Sequence, residues 1–465
     1  MRLRGLALLA GVCSLAGCDM APKYVRAVSD SVPSQWPQGA AYPPATASEV
    51  GMTWQQLVVD ARLRRVIDAA LTHNQDLAAA VANVAATRAQ YRVQRSSQFP
   101  TLSAGASASV QRPIAGGQDG TTTATNVFSA DVGISGFEID LFGRLKNLSR
   151  EAFEQYLASQ SGARSTKLSV VAETATAYVT LASDRDLLAV AQRQVASGQR
   201  SVALTEDLHQ NGIVSGADVA DAQTILQQAL SDVATYTTQV AQDRNALELL
   251  VGRPVDDADL PASLADLEKG IGVPQAGLSS TVLLARPDVV EAEHQLKAAN
   301  YDIGAARAAF FPTISLTSLV GLATNALSSL FSGSGSYWSA APSVSVPILG
   351  GTNRGNLAYS QAQRDYYLAT YRKTAQTAYR DVADALARRG TIQAQREAQA
   401  RLVAAAQKSY GISDARYREG IDSLITALVA QRTLYSARQT ATTTTLADLS
   451  NRVALYLAIG ADQSL

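Results

Sequence analysis

A mostly helical chain built as a duplicated strand–helix unit, with four strands suited to crossing a bilayer, is the fold class this sequence predicts. Three observations predict it. Prolines are absent from two stretches of over a hundred residues, a set of residues recurs at a nearly constant offset, and short segments alternate apolar and small polar side chains. The 465 residues carry 40 basic and 40 acidic side chains, so no basic surplus points to nucleic acid. Apolar residues make up 47%, yet aromatics are only 6% and alanine is abundant, a mix that suits long, closely packed helices.

The N-terminus reads as a targeting segment, residues 1–17. Arg2 and Arg4 precede the apolar Leu6 to Leu9, and Leu15-Ala16-Gly17-Cys18 resembles a bacterial lipobox. That implies cleavage before Cys18 and acylation of its sulfur and amine. Cys13 would leave with the signal, so no disulfide is expected in the mature chain. Asp19 stands where some bacteria read an inner-membrane retention signal. Residues 18–56, rich in Pro, Ser and Ala, read as an extended, lipidated arm. No run of about 18 apolar residues follows. If the chain spans a membrane, it does so with strands.

Prolines fall between 22 and 113, between 254 and 312, and at 342 and 347; residues 114–253 and 348–465 have none. An interior proline costs a helix about 3 kcal/mol, so these two stretches permit very long helices. The repeat confirms the division. Phe99-Pro100-Thr101-Leu102-Ser103 returns as Phe311-Pro312-Thr313-Ile314-Ser315 at an offset of 212. Arg144 and Tyr156 match Arg354 and Tyr366 at 210; Gly212, Arg244, Leu247 and Gly252 match Gly420, Arg452, Leu455 and Gly460 at 208. A duplicated unit with small loop deletions leaves such a drift.

Repeat 1 is read as 57–252 and repeat 2 as 287–460, joined by a Pro/Gly/Asp-rich connector at 253–286 and followed by a tail at 461–465. In the first, Leu102, Ala104, Ala106, Ala108 and Val110 alternate with small polar residues, as do Phe128, Ala130, Val132 and Ile134. Strands are therefore expected at about 101–112 and 126–139, and less cleanly at 313–323 and 338–348, where Pro342 and Pro347 interrupt. Helical hairpins are expected over 144–252 and 354–460. Leu181, Leu188, Val195 and Val202 recur every seven residues as a coiled-coil seam. Four strands with one apolar face cannot close on themselves, so closure requires further copies; the spacing alone does not fix how many.

Several strings resemble a known family. Phe137-Glu138-Ile139-Asp140-Leu141-Phe142-Gly143-Arg144 is similar to the (Y/F)E-(I/L)DLFGR signature of the outer membrane factors. Arg286-Pro287-Asp288-Val289, Glu291-Ala292-Glu293-His294 and Ile303 to Pro312 look like the same family's second-repeat entry. This is the TolC/OprM-like group, in its NodT-type lipoprotein branch. The resemblance implies a homotrimer whose twelve-stranded outer-membrane barrel continues into a periplasmic α-helical barrel. It also implies outer-membrane lipid around the strands, a periplasmic adaptor (membrane fusion protein), and an inner-membrane transporter of the proton-driven resistance-nodulation-division type. The function it implies is a passive exit duct for drugs and other small toxic compounds. Rival readings are a tunnel for type I polypeptide secretion and a non-pore structural envelope lipoprotein.

No catalytic constellation, metal site or cofactor motif stands out. His73, His209 and His294 are far apart and read as helix-surface residues, and Gly333-Ser334-Gly335-Ser336 reads as a loop between strands. The functional candidates are the two helix-reversal turns, where glycine reverses the chain and a polar residue caps the returning helix. The resemblance places adaptor docking there: Gly212, Ser215, Asp218, Gly420, Asp422 and Ser423. It places the pore constriction nearby, at Asp218, Asp221, Ile425, Val429 and Arg432. Relatives often carry a gate aspartate where this chain has Val429, so the constriction is expected to be looser or more apolar.

Overall fold

The computed structural model describes residues 19–26, 32–42, 52–111, 125–274, 279–332, 335–460, 462 and 464. Cys18 and the loop around Gly333 and Ser334 lie outside them. The chain divides into two compact units, each drawn from three stretches: Met1–Arg26, Asn83–Ser159 and Glu291–Tyr371, and Ala27–Ala82, Gln160–Val290 and Arg372–Leu465.

The first unit holds the sheet. β1 (Leu102–Gln111), β2 (Thr125–Ile139), β3 (Thr313–Thr324) and β4 (Ser336–Ser345) pair antiparallel in the order β1-β2-β3-β4. Each half of the chain thus supplies one hairpin, and the two join through β2 and β3. The register puts Ala104, Val132, Val320 and Trp338 in one cross-strand row, with Gly105, Asp131, Gly321 and Tyr337 in the next. Because side chains alternate, one face is apolar and the other is mostly serine, glycine and threonine. The apolar face is uncovered: Leu102 is 70% exposed, Val344 65% and Trp338 78%. β1 and β4 each have one unpaired edge in the single chain. Pro342 sits inside β4 opposite Leu316, tolerated because an outer strand need not donate on both sides. β4 ends at Ser345, before Pro347, where the sequence reading carried it to Ile348. A bulge between Ile134 and Phe137 is built on Gly136 at φ +61°, whose N–H donates to Thr317 Oγ1 at 3.0 Å.

The string Phe137 to Arg144 is the hinge from strand to helix. Asp140 accepts from the backbone N–H groups of Arg144 (2.7 Å) and Lys146 (2.8 Å), capping α4, which runs Arg144–Gln210. The Arg144 guanidinium pairs with both oxygens of Glu138. Phe142 stacks on Phe311 with ring centroids 4.7 Å apart, so the two repeats' entry motifs meet at the base of the sheet.

Residues 19–26 lie against α4 and α7 (Pro287–Ala308). Asp19 pairs with Arg150, the Met20 carbonyl accepts from Arg307 (3.1 Å), and the Pro22 carbonyl from Asn300 (3.1 Å). The Tyr24 hydroxyl donates to Glu293 at 3.2 Å, and Arg26 and Lys297 also bond that carboxylate. A side chain at Gly304 would come within 2.9 Å of the Ala21 backbone, so glycine admits the arm. His294 is not a plain surface residue: its Nδ1 lies 2.6 Å from Glu154 and both are largely buried.

The second unit is helical. α1 (Trp54–Leu57) and α2 (Ala61–His73), which α3 (Gln75–Ser96) follows, pack with the middle of α4, α5 (Gly216–Val251), the short α6 (Leu264–Leu267) and the later part of α9 (Leu424–Ile459). α8 (Thr352–Arg418) is bonded to α9 through Gln399 to the Ala437 carbonyl and Asn451 to the Ala385 carbonyl. α4 and α8 each have 67 residues, about 100 Å at 1.5 Å per residue. Tyr178, Leu181, Ile67, Leu247, Leu267 and Leu449 are core residues. Of the expected seven-residue seam, Leu181 and Val202 are buried while Leu188 and Val195 are half-buried. The inward line between them is Leu187, Ala191, Gln194 and Gly198. The helix is gripped on two sides, so its buried positions follow the 3.6-residue period more than a strict heptad. The Thr442 to Thr445 run, a poor helix former, is helical throughout; each threonine returns its hydroxyl to a carbonyl three or four residues back. Among the described residues, no helix is long and apolar enough to cross a membrane.

Candidate functional site: the two helix-reversal turns

Both long helices end in the same backbone device. After α4, Gly212 at φ +74° donates its N–H to the His209 carbonyl (2.9 Å), and Ile213 donates to Leu208 (2.9 Å). After α8, Gly420 at φ +72° donates to Tyr417 (3.0 Å), and Ile421 donates to Arg416 (2.9 Å). These paired bonds are a Schellman closure, which needs the left-handed residue that glycine supplies. The turns correspond at the repeat's 208-residue offset.

Their side chains differ. In the first, Ser215 and Asp218 form a reciprocal capping box: Asp218 Oδ2 accepts from the Ser215 N–H (2.8 Å) and hydroxyl (2.7 Å). Those bonds, the Ser215 hydroxyl first, hold the Asp218 carboxyl below its usual range. His209 Nδ1–H donates to the Val214 carbonyl (2.9 Å), closing the loop from the other side. In the second turn, the residue matching Asp218 is Thr426, and Ser423 reaches only its hydroxyl at 3.0 Å. There Arg416 grips Asp422 with two bonds, Nε at 2.6 Å and Nη2 at 3.0 Å, holding that carboxyl low and its own guanidinium high. The sequence reading found Asp422 but missed Arg416, whose spacing of six residues across a glycine turn was the available signal.

The returning helix α9 has two apolar faces. Leu424, Leu428 and Leu434 are buried, with Gln431 among them bonded to Ser197, which in turn bonds Tyr410. Ile425 (52% exposed), Val429 (46%) and Arg432, spaced four and three apart, form a second stripe that one chain leaves uncovered. Asp221 on α5 is likewise exposed. A cleft of about 440 Å³ opens beside the second turn, lined by Arg200, Leu204, Tyr417, Leu424 and Leu428 among others.

A duplicated strand–helix unit with an uncovered apolar sheet face, open strand edges and paired reversal turns defines a subunit of a channel-tunnel. A family model described as outer membrane efflux protein matches residues 66–253 and 278–461, and the chain belongs to that family. It is 42% identical over 452 residues to the antibiotic efflux pump outer membrane protein ArpC of Pseudomonas putida, covering 96% of this chain and 93% of that protein. It is 36% identical over 433 residues to the outer membrane protein OprJ of Pseudomonas aeruginosa, covering 93% and 90%. Its backbone matches the open-state MtrE outer membrane channel of Neisseria gonorrhoeae with a TM-score of 0.83 at 32% identity, over 95% of this chain and 98% of that one. The protein is therefore an outer-membrane efflux channel that extends into the periplasm, from a family of ducts and not of enzymes.

Proposed function

We propose that three copies close into a twelve-stranded barrel, and that the duct so formed is the exit of a three-part pump for small toxic compounds. The observation that carries this is the sheet: two unpaired edges and an uncovered apolar face in one protomer. An open edge is a pairing template, and neighbouring copies would satisfy it while lipid covers the apolar face. The relatives' names, which specify antibiotic and toluene efflux, support drugs and solvents as the cargo class. The partners in this reading are a periplasmic adaptor and an inner-membrane proton-driven transporter.

Gly212, Ser215, Asp218, Gly420, Asp422 and Ser423 form the docking tips in this reading, because each turn is rigidly closed while its outer surface is free. Ile425 and Val429, backed by Arg432, Asp218 and Asp221, form the constriction once copies gather around an axis. Cys18 carries the lipid anchor. Deleting the gene in its host should raise sensitivity to several unrelated drugs, and plasmid-borne protein should restore resistance only beside an intact adaptor and transporter. Unchanged sensitivity, with the transporter shown to be expressed, would remove the pump role.

A further inference from the structure

The small-residue face of the sheet carries one carboxylate without a counter-ion. Among the described strand residues the only charged side chains are Asp131 and Glu138. Glu138 is neutralised by Arg144 at the strand's end. Asp131 lies mid-strand in β2, and no described basic group forms an ion pair with it.

Its nearest cross-strand neighbours are small, and the residue itself is half-buried. The residues directly opposite on both neighbouring strands are glycines, Gly105 and Gly321, and Gly133 follows on the same face. A Cβ on Gly321 would come within 2.7 Å of the Asp131 Cβ, and one on Gly105 within 3.6 Å of its Oδ1. The carboxylate thus has no side chain directly opposite it on either neighbouring strand, with Leu319 diagonal to it and Tyr337 one strand beyond Gly321. Farther along, serines satisfy one another: Ser107 with Ser129 at 2.8 Å, and Ser315 with Ser343 at 2.7 Å. Leu102, Val132, Val320, Trp338 and Val344 all lie on the other face, so Asp131 belongs to the face that a closed barrel turns to water.

We infer that Asp131 is an ion-selectivity determinant of the pore: one copy from each protomer sets a ring of carboxylates at a single level of the barrel lumen. This rests on the trimeric closure proposed above. Three like charges without counter-ions enrich cations locally and repel anions. The same field would favour cationic cargo over anionic cargo.

The test is planar-bilayer recording of the full-length protein under a KCl gradient. It is made in the parent and in an Asp218→Asn/Asp221→Asn background, so that carboxylates elsewhere do not dominate. The expected result is a cation-preferring reversal potential that Asp131→Asn lowers several-fold in permeability ratio and Asp131→Glu retains. Conductance steps of normal size with the same ion preference in Asp131→Asn, in both backgrounds, would overturn the ring alone. Absence of any conductance from the parent protein would overturn the closed barrel, and the ring with it.

Discussion

Arg416 and Asp422 face each other across the second reversal turn in a two-point ion pair, where the first turn uses Ser215 and Asp218 instead. One duplicated backbone has thus acquired two different locks. The Asp422 carboxyl is held below its ordinary value of 3.8 mainly by the Arg416 hydrogen bonds. A depressed acid stabilises the fold above its unfolded pKa, and that contribution is lost as pH falls through the folded value. Amide exchange at Ile421 and Asp422, whose N–H groups both donate to the Arg416 carbonyl, should therefore rise only in strongly acid solution. Asp422→Asn should raise it at neutral pH and remove the acid dependence; identical exchange in both proteins would show that the pair does not order the turn.

The first turn should respond to a neutral substitution. Ser215→Ala removes one half of the capping box and should cost about 1 kcal/mol of local stability at the start of α5. Increased exchange confined to Gly216 to Val219, with global unfolding unchanged, is the expected signature.

Asp448 is the buried centre of the helical unit. It is fully buried and bonds Arg389 (3.0 Å), Arg396 (2.8 Å) and Arg452 (2.7 Å). Arg452 also donates to the Glu268 and Ile271 carbonyls, tying the connector to α9. Removing one member of a buried charged network costs roughly 3–5 kcal/mol because its partners stay buried and unpaired. Asp448→Ala should lower the thermal midpoint of the detergent-solubilised protein sharply, whereas Asp384→Ala, at an exposed carboxylate on α8, should leave it nearly unchanged.

A carboxyl pair between α4 and α5 gives the opposite pH sign. Burial, and then the neighbouring Asp184, push Asp243 up to about 7. An acid whose folded pKa is raised stabilises the fold below its unfolded value, and that contribution is lost as pH rises through about 7. Asp243→Asn should flatten the decline in stability between weakly acid and neutral pH. A parallel decline in parent and variant would rule the pair out as its source.

Two substitutions address the channel itself. Val429→Asp adds a carboxylate to the exposed stripe of α9 and should change conductance and drug export if that stripe lines the constriction; no change would contradict an apolar constriction there. Cys18→Ser should lower yield or sorting more than activity. Complete loss of efflux at normal outer-membrane amounts would contradict that.

Local and periodic signals made the plan legible before the structure. The proline map and the 208–212 offset give the two long helices and the four strands, and Gly212 and Gly420 mark the reversals because only glycine adopts their left-handed backbone without strain. What was hidden is long-range. The seat of residues 19–26 depends on Glu293, which lies 269 residues from Tyr24. Asp19, read only as a sorting signal, is an ion-pair partner of Arg150. The Asp448 network joins α8 to α9 through charges that look like ordinary solvated helix faces. The seam was misplaced by one residue at Leu188 and Val195, because a single heptad cannot describe a helix packed on two sides.

In the proposed assembly, copies of this chain close a barrel that one copy cannot. Its most direct test is the native mass of the purified, detergent-solubilised protein, before and after boiling. The expected result is a trimer that resists mild detergent and collapses to monomer on heating. A stable monomer that stays soluble without detergent would contradict it and leave a non-pore envelope protein as the better description.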